Sequence, residues 1–166
     1  MHAANAHGDI QIDPVYKRLR NEGAERFAYE VRSLFGGEPI LMEKVARNVL
    51  KNRRRFRALV LLADQSPGGR DNVYWTEWLN QPTGFFLGPA TISQLTGFPV
   101  MFARCRRKAR GRYHLSLIPI VETPGQLTEE QIIEAYIRAA EQTIREEPES
   151  YLWSNRRWKH QPPEVT

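Results

Sequence analysis

The longest uninterrupted apolar stretch of the chain is residues 58–63, only six residues long. A helix that crosses a bilayer needs about 18 apolar residues or more, so this stretch is not predicted to span a membrane. A short apolar run before a turn-rich polar loop instead predicts a strand buried on both faces, as in a parallel sheet. That loop begins at Asp64 and contains Ser, Pro and two Gly residues. The run therefore favours an α/β fold.

Four segments have the apolar spacing or the boundary residues of helices, namely 23–35, 42–50, 89–97 and 128–148. Pro89 predicts a helix start and Gly97 a helix end. Thr128 and Gln131 form a capping box, in which each side chain satisfies the other residue's backbone N–H. The last helix is predicted to be amphipathic and to end at Pro148.

Three shorter segments predict further strands. Residues 15–17 form a short extended segment, and residues 99–103 predict a second buried strand. Residues 113–119 alternate in polarity, which predicts a strand with one partly exposed face. With the helices, this order predicts one α/β domain over residues 1–166, in which helices cover a mostly parallel sheet.

The basic residues are clustered along the chain. The net charge is +5 and the isoelectric point is about 9.6. Six basic residues lie within 47–57, six within 104–112 and three within 156–159. Such clusters attract polyanions, which include nucleic acid, anionic lipid headgroups and acidic carrier proteins. The alternative is that they form solvated helix faces or loops.

The first candidate site follows the apolar run. Asp64 and Gln65 stand at the carboxyl end of the predicted strand, where open α/β sheets bind their ligands. Their side chains could orient a sugar hydroxyl or a basic group. The alternative is a turn-forming role for Asp64, because the next residues are typical of a loop.

The second candidate site surrounds the start of the helix at Pro89. Gly88 allows a close approach of the backbone, and the helix N-terminus could bind an anion such as a phosphate. Thr91 belongs to the same segment. Phe85 and Phe86 could line a groove for an acyl chain, although aromatic residues at such a position also occur as core.

The third candidate is residues 151–159, where aromatic and basic side chains interleave. This pattern suits stacking on nucleic-acid bases or a position at a lipid headgroup boundary. Docking of the segment by its tryptophans, with the arginines in water, is the alternative. A fourth candidate is an anion clamp made by residues 16–18, which include Lys17, together with Arg26 and Arg32 on the following helix.

Acid–base catalysis of acyl transfer to a hydroxyl needs a base, most often His, oriented by a carboxylate. None of the four histidines is followed five positions later by Asp or Glu. The single cysteine, Cys105, excludes an internal disulfide, and no Cys/His spacing fits a zinc site. From the residues alone, the chain is a basic α/β domain that binds an anionic partner.

Five segments, in order, resemble motifs of the late acyltransferases of bacterial lipid A biosynthesis, the lauroyl and myristoyl transferases. They are residues 15–19 (Val-Tyr-Arg/Lys-Pro, with Arg18 in place of Pro), Arg32 with Gly36 (Arg-x3-Gly), Asp64-Gln65, residues 86–91 (Phe-x-Gly-x-x-Thr) and residues 151–159 with Pro162. The last is similar to the family's closing signature and is the most specific. The resemblance covers roughly residues 12–163.

The resemblance implies an enzyme at the cytoplasmic face of the bacterial inner membrane, with the fold of glycerol-phosphate acyltransferases. It would move a fatty acyl group from acyl carrier protein to a hydroxyl of a lipid A precursor or a related glycolipid. No metal or cofactor is expected. The acyl carrier protein, the lipid A phosphates and the anionic membrane surface are all negative, which fits the basic clusters, and nucleic acid is not an expected partner.

The residues that match the family's motifs are expected to bind substrate. They are Lys17, Arg32, Asp64, Gln65, Gly88, Thr91, Arg156, Arg157 and Lys159. The family's catalytic His-x4-Asp/Glu motif has no counterpart here, so no catalytic residue is assigned. The chain is therefore expected to be an N-terminally truncated acyltransferase domain that is inactive as given and peripheral to the membrane.

Two other functions stay open at this point. The first is a non-catalytic basic module that binds an anionic membrane or acyl carrier protein through the same surface. The second, suggested only by the basic clusters and the aromatic C-terminal segment, is an RNA-binding domain.

Overall fold

The structure, a computed structural model, describes residues 10–67 and 72–163. The chain divides into two compact units, with the boundary between Leu62 and Ala63. Both units combine helices and strands, so the mixed α/β class predicted from the sequence is confirmed. Among the described residues, no helix has both the length and the apolar character needed to cross a membrane.

The first unit contains a three-stranded parallel sheet in the order β2-β1-β3. The strands are β1 (Gln11–Tyr16), β2 (Ile40–Leu41) and β3 (Arg57–Val60), and the helices are α1 (Glu22–Ser33) and α2 (Val45–Lys51). Asn21 caps α1, because its Oδ1 accepts a hydrogen bond from the backbone N–H of Ala24 at 2.9 Å. The extended segment and both helices predicted here are confirmed.

The strand predicted at 58–63 is found, but its predicted burial on both faces is wrong. The observed strand, β3, ends at Val60, Ala58 within it is exposed, and Leu62 after it is 70% exposed. The reason is its place in the sheet. Among the described strands, β3 pairs only with β1, and it therefore forms an edge with partly open faces.

A buried ion pair joins the two neighbouring strands β1 and β3. Arg57 Nη1 donates to Asp13 Oδ2 at 2.8 Å, and the side chains are 2% and 0% exposed. Asp13 Oδ1 also accepts from the backbone N–H of Glu38 at 2.8 Å, while Arg57 Nη2 donates to Asn48 Oδ1 at 2.7 Å. Arg57 is therefore a structural residue of the core, although the sequence grouped it with a surface cluster.

In the described part of the second unit, the strands form two antiparallel hairpins, and two α-helices accompany them. The first hairpin, β4 (Val73–Trp78) with β5 (Gln81–Phe86), was not predicted from the sequence. Helix α3 (Gly88–Thr96) lies where Pro89 and Gly97 predicted it. The second hairpin is β6 (Val100–Ala109) with β7 (Arg112–Val121), and α4 (Glu129–Glu146) follows.

Helix α4 supplies much of the core of the second unit. Its buried stripe includes Ile132, Ile133 and Ile137, which cluster with Trp78 and Phe85 of the first hairpin. The predicted capping box at its start is confirmed in both directions. The helix ends at Glu146, just before Pro148, as expected of proline.

The strand predicted at 99–103 is longer than expected and is not buried. It starts at Val100, reaches Ala109 and pairs antiparallel with β7, and its residues alternate between partly buried and exposed as far as Arg106. Because β6 and β7 are joined by a tight turn at Arg110 and Gly111, the two strands form a hairpin. The described strands thus form one small parallel sheet and two antiparallel hairpins, and a mostly parallel sheet is not confirmed.

Candidate functional site

The loop after β3 meets the C-terminal segment in a polar cleft of the second unit. The cleft has a volume of about 370 Å³ and is lined by Gln65, Ser66, Leu152, Ser154, Asn155 and Lys159. The structure therefore brings together two predicted binding residues, Gln65 and Lys159, from distant parts of the sequence. We refer to this site as the polar cleft.

Ser66 ties the two walls of the polar cleft together. Its Oγ donates a hydrogen bond to the carbonyl oxygen of Arg157 at 2.6 Å and lies 3.4 Å from that of Arg156. Hydroxyl, amide and ammonium groups line the cleft, and only Leu152 adds a purely apolar side chain. Such a lining can donate and accept hydrogen bonds with sugar hydroxyls and donate to phosphate oxygens. Ser154 and Asn155 belong to the candidate segment 151–159 but were not among the residues expected to bind substrate, and Ser66, next to Gln65, was not predicted as a site residue.

Arg157 belongs to the C-terminal segment, but its side chain is buried in the core of the second unit. It is 3% exposed, and its guanidinium carbon is 4.5 Å from the ring centre of Phe85 and 5.6 Å from that of Trp78. Its Nη2 donates to the carbonyl oxygen of Gly84 at 2.6 Å. These contacts hold the C-terminal segment, which forms one wall of the polar cleft, on the first hairpin. The predicted contact of Arg157 with substrate stays a prediction.

Asp64, next to Gln65 of the polar cleft, influences the ionisation of Arg157 and of two tyrosines, Tyr136 and Tyr151. Burial lowers the pKa of Arg157, whereas the nearby Tyr151, Tyr136 and Asp64 act to raise it. Burial is also the main cause that raises the pKa of Tyr136, and the negative charge of Asp64 adds to that effect. Asp64 is partly buried. Its carboxylate is thus close enough to Arg157 to offset part of the cost of burying that cation.

The tryptophans of the C-terminal segment have structural partners. Trp158 Nε1 donates to Thr83 Oγ1 at 2.8 Å, and its ring centre is 5.9 Å from that of Trp78. Trp153 Nε1 donates to the carbonyl oxygen of Pro148 at 2.6 Å. The sequence left two interpretations of these tryptophans open, stacking on a ligand or docking of the segment on the rest of the chain. The contacts favour docking. Arg156 and Lys159 of the same segment are exposed.

Gly88 and Thr91 do not line the polar cleft. A Cβ on Gly88 would lie 2.2 Å from Cε1 of Phe86, so a larger residue at this position would have to displace that ring. Thr91 Oγ1 donates to the carbonyl oxygen of Leu87 at 3.3 Å, within the helix. Both contacts are structural, and their roles in substrate binding stay predictions.

Lys17 and Arg32 belong to the first unit. Lys17 is exposed just after β1, and the guanidinium carbon of Arg32 lies 4.6 Å from the ring centre of Tyr16. Tyr16 in turn donates from its hydroxyl to Glu25 Oε1 at 3.0 Å. Burial and then the Glu25 carboxylate raise the pKa of Tyr16. Arg32 thus has an aromatic partner, and no contact between Lys17 and Arg32 defines a clamp in the described structure.

Part of the first and of the second predicted basic cluster is paired with acidic groups. In the first cluster, Arg55 Nη1 is 3.1 Å from Glu38 Oε2, and Arg57 pairs with Asp13. In the second, Arg104 and Arg106 both pair with Glu146. In the first two clusters, eight exposed basic side chains have no acidic side chain within ion-pair distance in the described structure, namely Arg47, Lys51, Arg53, Arg54, Arg107, Lys108, Arg110 and Arg112.

A second and larger cleft of about 550 Å³ lies in the same unit. It is lined by Leu79, Asn80, Gln81, Arg145, Trp153 and Trp158. In neither cleft, nor anywhere else in the described part of the chain, do three or more His, Cys, Asp or Glu side chains form a group that could hold a metal ion.

Comparison with known families gives one match that covers most of the chain. A family model described as bacterial lipid A biosynthesis acyltransferase matches residues 7–160. The match includes the lining of the polar cleft and agrees with the resemblance of the sequence motifs. The comparison with curated proteins found no match.

Proposed function

Because the chain belongs to the family of bacterial lipid A biosynthesis acyltransferases, we propose that it serves the transfer of a fatty acyl group from acyl carrier protein to a hydroxyl of a lipid A precursor. The family match supports an acyltransferase-like function in general terms. The donor, the acceptor and the division of roles among the residues are our proposal. We further propose that the chain is an acyltransferase domain with a glycerol-phosphate-acyltransferase-like fold.

The polar cleft is the observation that carries this proposal. A lipid A precursor presents sugar hydroxyls and phosphates, and the cleft offers the amides of Gln65 and Asn155, the hydroxyls of Ser66 and Ser154 and the ammonium of Lys159. Amides and hydroxyls suit sugar hydroxyls, and an ammonium group suits a phosphate. In this proposal the polar cleft holds the headgroup of the acceptor, while Asp64 and Arg157 keep its walls in place.

The proposed role of these 166 residues is binding rather than proton transfer. The His-x4-Asp/Glu motif that would deprotonate the acceptor hydroxyl does not occur in this sequence. A missing general base typically lowers the rate by about 10²–10⁴-fold. We therefore expect the purified chain to show no measurable acyl transfer, and turnover near that of an active family member would contradict this expectation.

The expected partners are negative, and the location we propose is the cytoplasmic face of the bacterial inner membrane. The unpaired arginines support binding to the acidic acyl carrier protein or to an anionic membrane surface. The same residues favour a second candidate function, a non-catalytic module that binds either partner. Acceptor binding in the polar cleft distinguishes the two functions, because only the acyltransferase role needs it.

The test is a titration of the isotope-labelled chain with glucosamine 1-phosphate, followed by NMR. We expect shifts of the backbone amides around Gln65 and Asn155, and a loss of affinity of about fivefold or more in Lys159→Ala, because a charged hydrogen bond is removed. Lys51→Ala, which changes another exposed lysine, is the matched control and is expected to bind normally. Shifts elsewhere only, or equal losses in both variants, would contradict the proposed acceptor site.

A further inference from the structure

The long hairpin of β6 and β7 has two different faces. Residues directly opposite each other on paired strands point to the same side, and successive residues alternate. The register pairs Ala103 with Leu117, Cys105 with Leu115, and Arg107 with Tyr113. These residues, with Met101 and Pro119, therefore share one face. We call it the outer face.

The opposite face of the hairpin rests on α4. The ring centre of Phe102 is 6.0 Å from that of Tyr136. Arg106 Nη2 is 2.6 Å from Glu146 Oε2, and Arg106 Nε is 2.8 Å from Glu147 Oε1. These contacts hold the hairpin on the helix, so the inner face has its partner within the second unit.

The outer face is apolar and open. The exposed fractions are 47% for Met101, 67% for Tyr113, 51% for Leu115 and 61% for Leu117. Single exposed apolar residues are ordinary, but a contiguous group of four on one strand pair marks an interaction surface. Water is a poor partner for such a surface, so another apolar phase or molecule is expected to cover it.

The charge around the outer face identifies the kind of partner. Arg107, Lys108, Arg110 and Arg112 cluster at the hairpin tip, all are exposed, and none is within ion-pair distance of an acidic side chain in the described structure. The tip therefore attracts anions, while burial of the outer face in an apolar environment is favourable. An anionic bilayer provides both environments close together, because its charged headgroups lie within a few ångströms of its acyl chains.

The backbone limits how deep the hairpin can go. Among the described strands, β6 and β7 pair only with each other, so each has one open edge with unpaired backbone groups. Unpaired N–H and C=O groups are too costly for the hydrocarbon core of a bilayer. The hairpin is thus suited to lie in the headgroup region and not to cross the membrane.

We propose that the outer face docks on an anionic lipid bilayer, with Leu115, Leu117 and Met101 at the boundary between headgroups and acyl chains and the basic tip on the lipid phosphates. The inference deepens the proposed function by naming the surface that contacts the membrane. It does not need acyl transfer or acceptor binding, and a failure of one proposal therefore leaves the other untouched.

Cys105 allows a direct test, because it is the single cysteine, is exposed and lies on the outer face. An environment-sensitive fluorophore attached to Cys105 reports whether this face enters an apolar phase. We expect a blue shift with vesicles of phosphatidylcholine containing 30% phosphatidylglycerol, and none with pure phosphatidylcholine. An unchanged emission while the chain co-sediments with the anionic vesicles would overturn the proposal, because the chain would then bind through another surface.

Two pairs of variants separate the apolar and the charged contributions, with vesicle co-sedimentation as the measurement. Leu115→Ser with Leu117→Ser is expected to weaken binding by roughly tenfold or more, because buried methylene groups are lost from the interface. The control is Leu34→Ser with Leu95→Ser, two leucines that are 52% and 73% exposed but lie elsewhere. Equal losses in both pairs would overturn the proposal. Circular dichroism of each variant shows that it is folded.

The charged pair is Arg107→Gln with Lys108→Gln. Each basic residue near an anionic surface contributes roughly fivefold to binding, so a loss of about 25-fold is expected. Arg53→Gln with Arg54→Gln removes the same charge from the first unit and is expected to lower binding less.

If size-exclusion chromatography shows that Leu115→Ser with Leu117→Ser abolishes a dimer formed without lipid, the outer face is a contact between two copies, and the proposal is wrong. A blue shift of the labelled Cys105 with acyl carrier protein but not with vesicles would also overturn it.

Discussion

Arg157 Nη2 donates to the carbonyl oxygen of Gly84 at 2.6 Å, and this contact joins the C-terminal segment to the first hairpin of the second unit. The guanidinium carbon lies 4.5 Å from the ring centre of Phe85 and 5.6 Å from that of Trp78, and Arg157 is only 3% exposed. A cation in such a place stabilises the fold only while its planar group keeps both the hydrogen bond and the stacking. The polar cleft depends on these contacts of Arg157, because the C-terminal segment forms one of the walls of the cleft.

Arg157→Lys is therefore expected to lower the free energy of unfolding by about 2 kcal/mol, although the charge is kept. A lysine ammonium has neither the planar stacking surface nor the fork of donors, and it leaves the carbonyl of Gly84 less well satisfied. Urea unfolding measures the change. Arg156→Lys, at the exposed neighbouring position, is the control and should change stability by less than about 0.5 kcal/mol. Equal effects in the two variants would show that the core contact of Arg157 is unimportant.

The buried pair of Asp13 and Arg57 leads to a second prediction, on the first unit. Asp13→Asn leaves the guanidinium without its counter-charge in a site where the side chains are 2% and 0% exposed. Breaking one partner of such a pair typically costs about 3–5 kcal/mol. Glu38→Gln, which weakens the half-exposed pair with Arg55, is expected to change stability by about 1 kcal/mol or less. Chemical unfolding of both variants tests this contrast, and a stable Asp13→Asn variant would contradict it.

Glu141 makes the stability of the second unit depend on pH. Burial acts to raise its pKa, but hydrogen bonds from Arg145 and from the backbone N–H of Leu79 outweigh it and lower the pKa below 4.5. A carboxylate with a lowered pKa in the folded state adds stability above its ordinary pKa, and that contribution is lost as the pH falls through the folded value. Stability should therefore decline below about pH 4.5 in part because of this residue.

The measurement is the urea midpoint between pH 7 and pH 3 for Glu141→Gln and for the original chain. The variant is expected to be less stable at pH 7 and to lose less stability on acidification, since the titrating group is gone. Glu149→Gln, at an exposed position, serves as the control. Parallel curves for Glu141→Gln and the original chain would rule out Glu141 as a source of the pH dependence.

Asp64 is expected to support function more than stability. In a chain that also carries a His-x4-Asp/Glu segment, Asp64→Asn should lower acyl transfer by about tenfold or more, which corresponds to about 1.4 kcal/mol of transition-state stabilisation. The substitution removes the negative charge of Asp64, which acts on Arg157, while asparagine keeps the turn-forming ability of aspartate. Steady-state kinetics and thermal unfolding test the two parts. Unchanged turnover in a folded variant would disprove the functional role, and a largely unfolded variant would show that Asp64 is structural.

Local patterns predicted the helices well. The capping box at Thr128, the helix start at Pro89 and the stop at Gly97 depend on hydrogen bonds and backbone angles within a few residues. The hairpin of β4 and β5 was missed, because its turn uses Leu79 and Asn80 at positive φ angles of 52° and 61°. A leucine in that conformation is rare, and the turn has Asn80 but no glycine, so it lacks the Asn-Gly or Asp-Gly pair that most clearly marks a hairpin.

By itself, the sequence determined the family, the α/β class and the helix boundaries, since motif order, apolar spacing and capping residues are all properties of the chain in one dimension. Only the tertiary structure decided which charged residues are free. Arg57 and Arg157 look like their neighbours in the sequence, yet one is buried against Asp13 and the other against Phe85 and Gly84. Tertiary structure also brought Gln65 to Lys159. The physical reason is that burial and pairing depend on which distant residues pack together, and charge clustering along a chain carries no information about that.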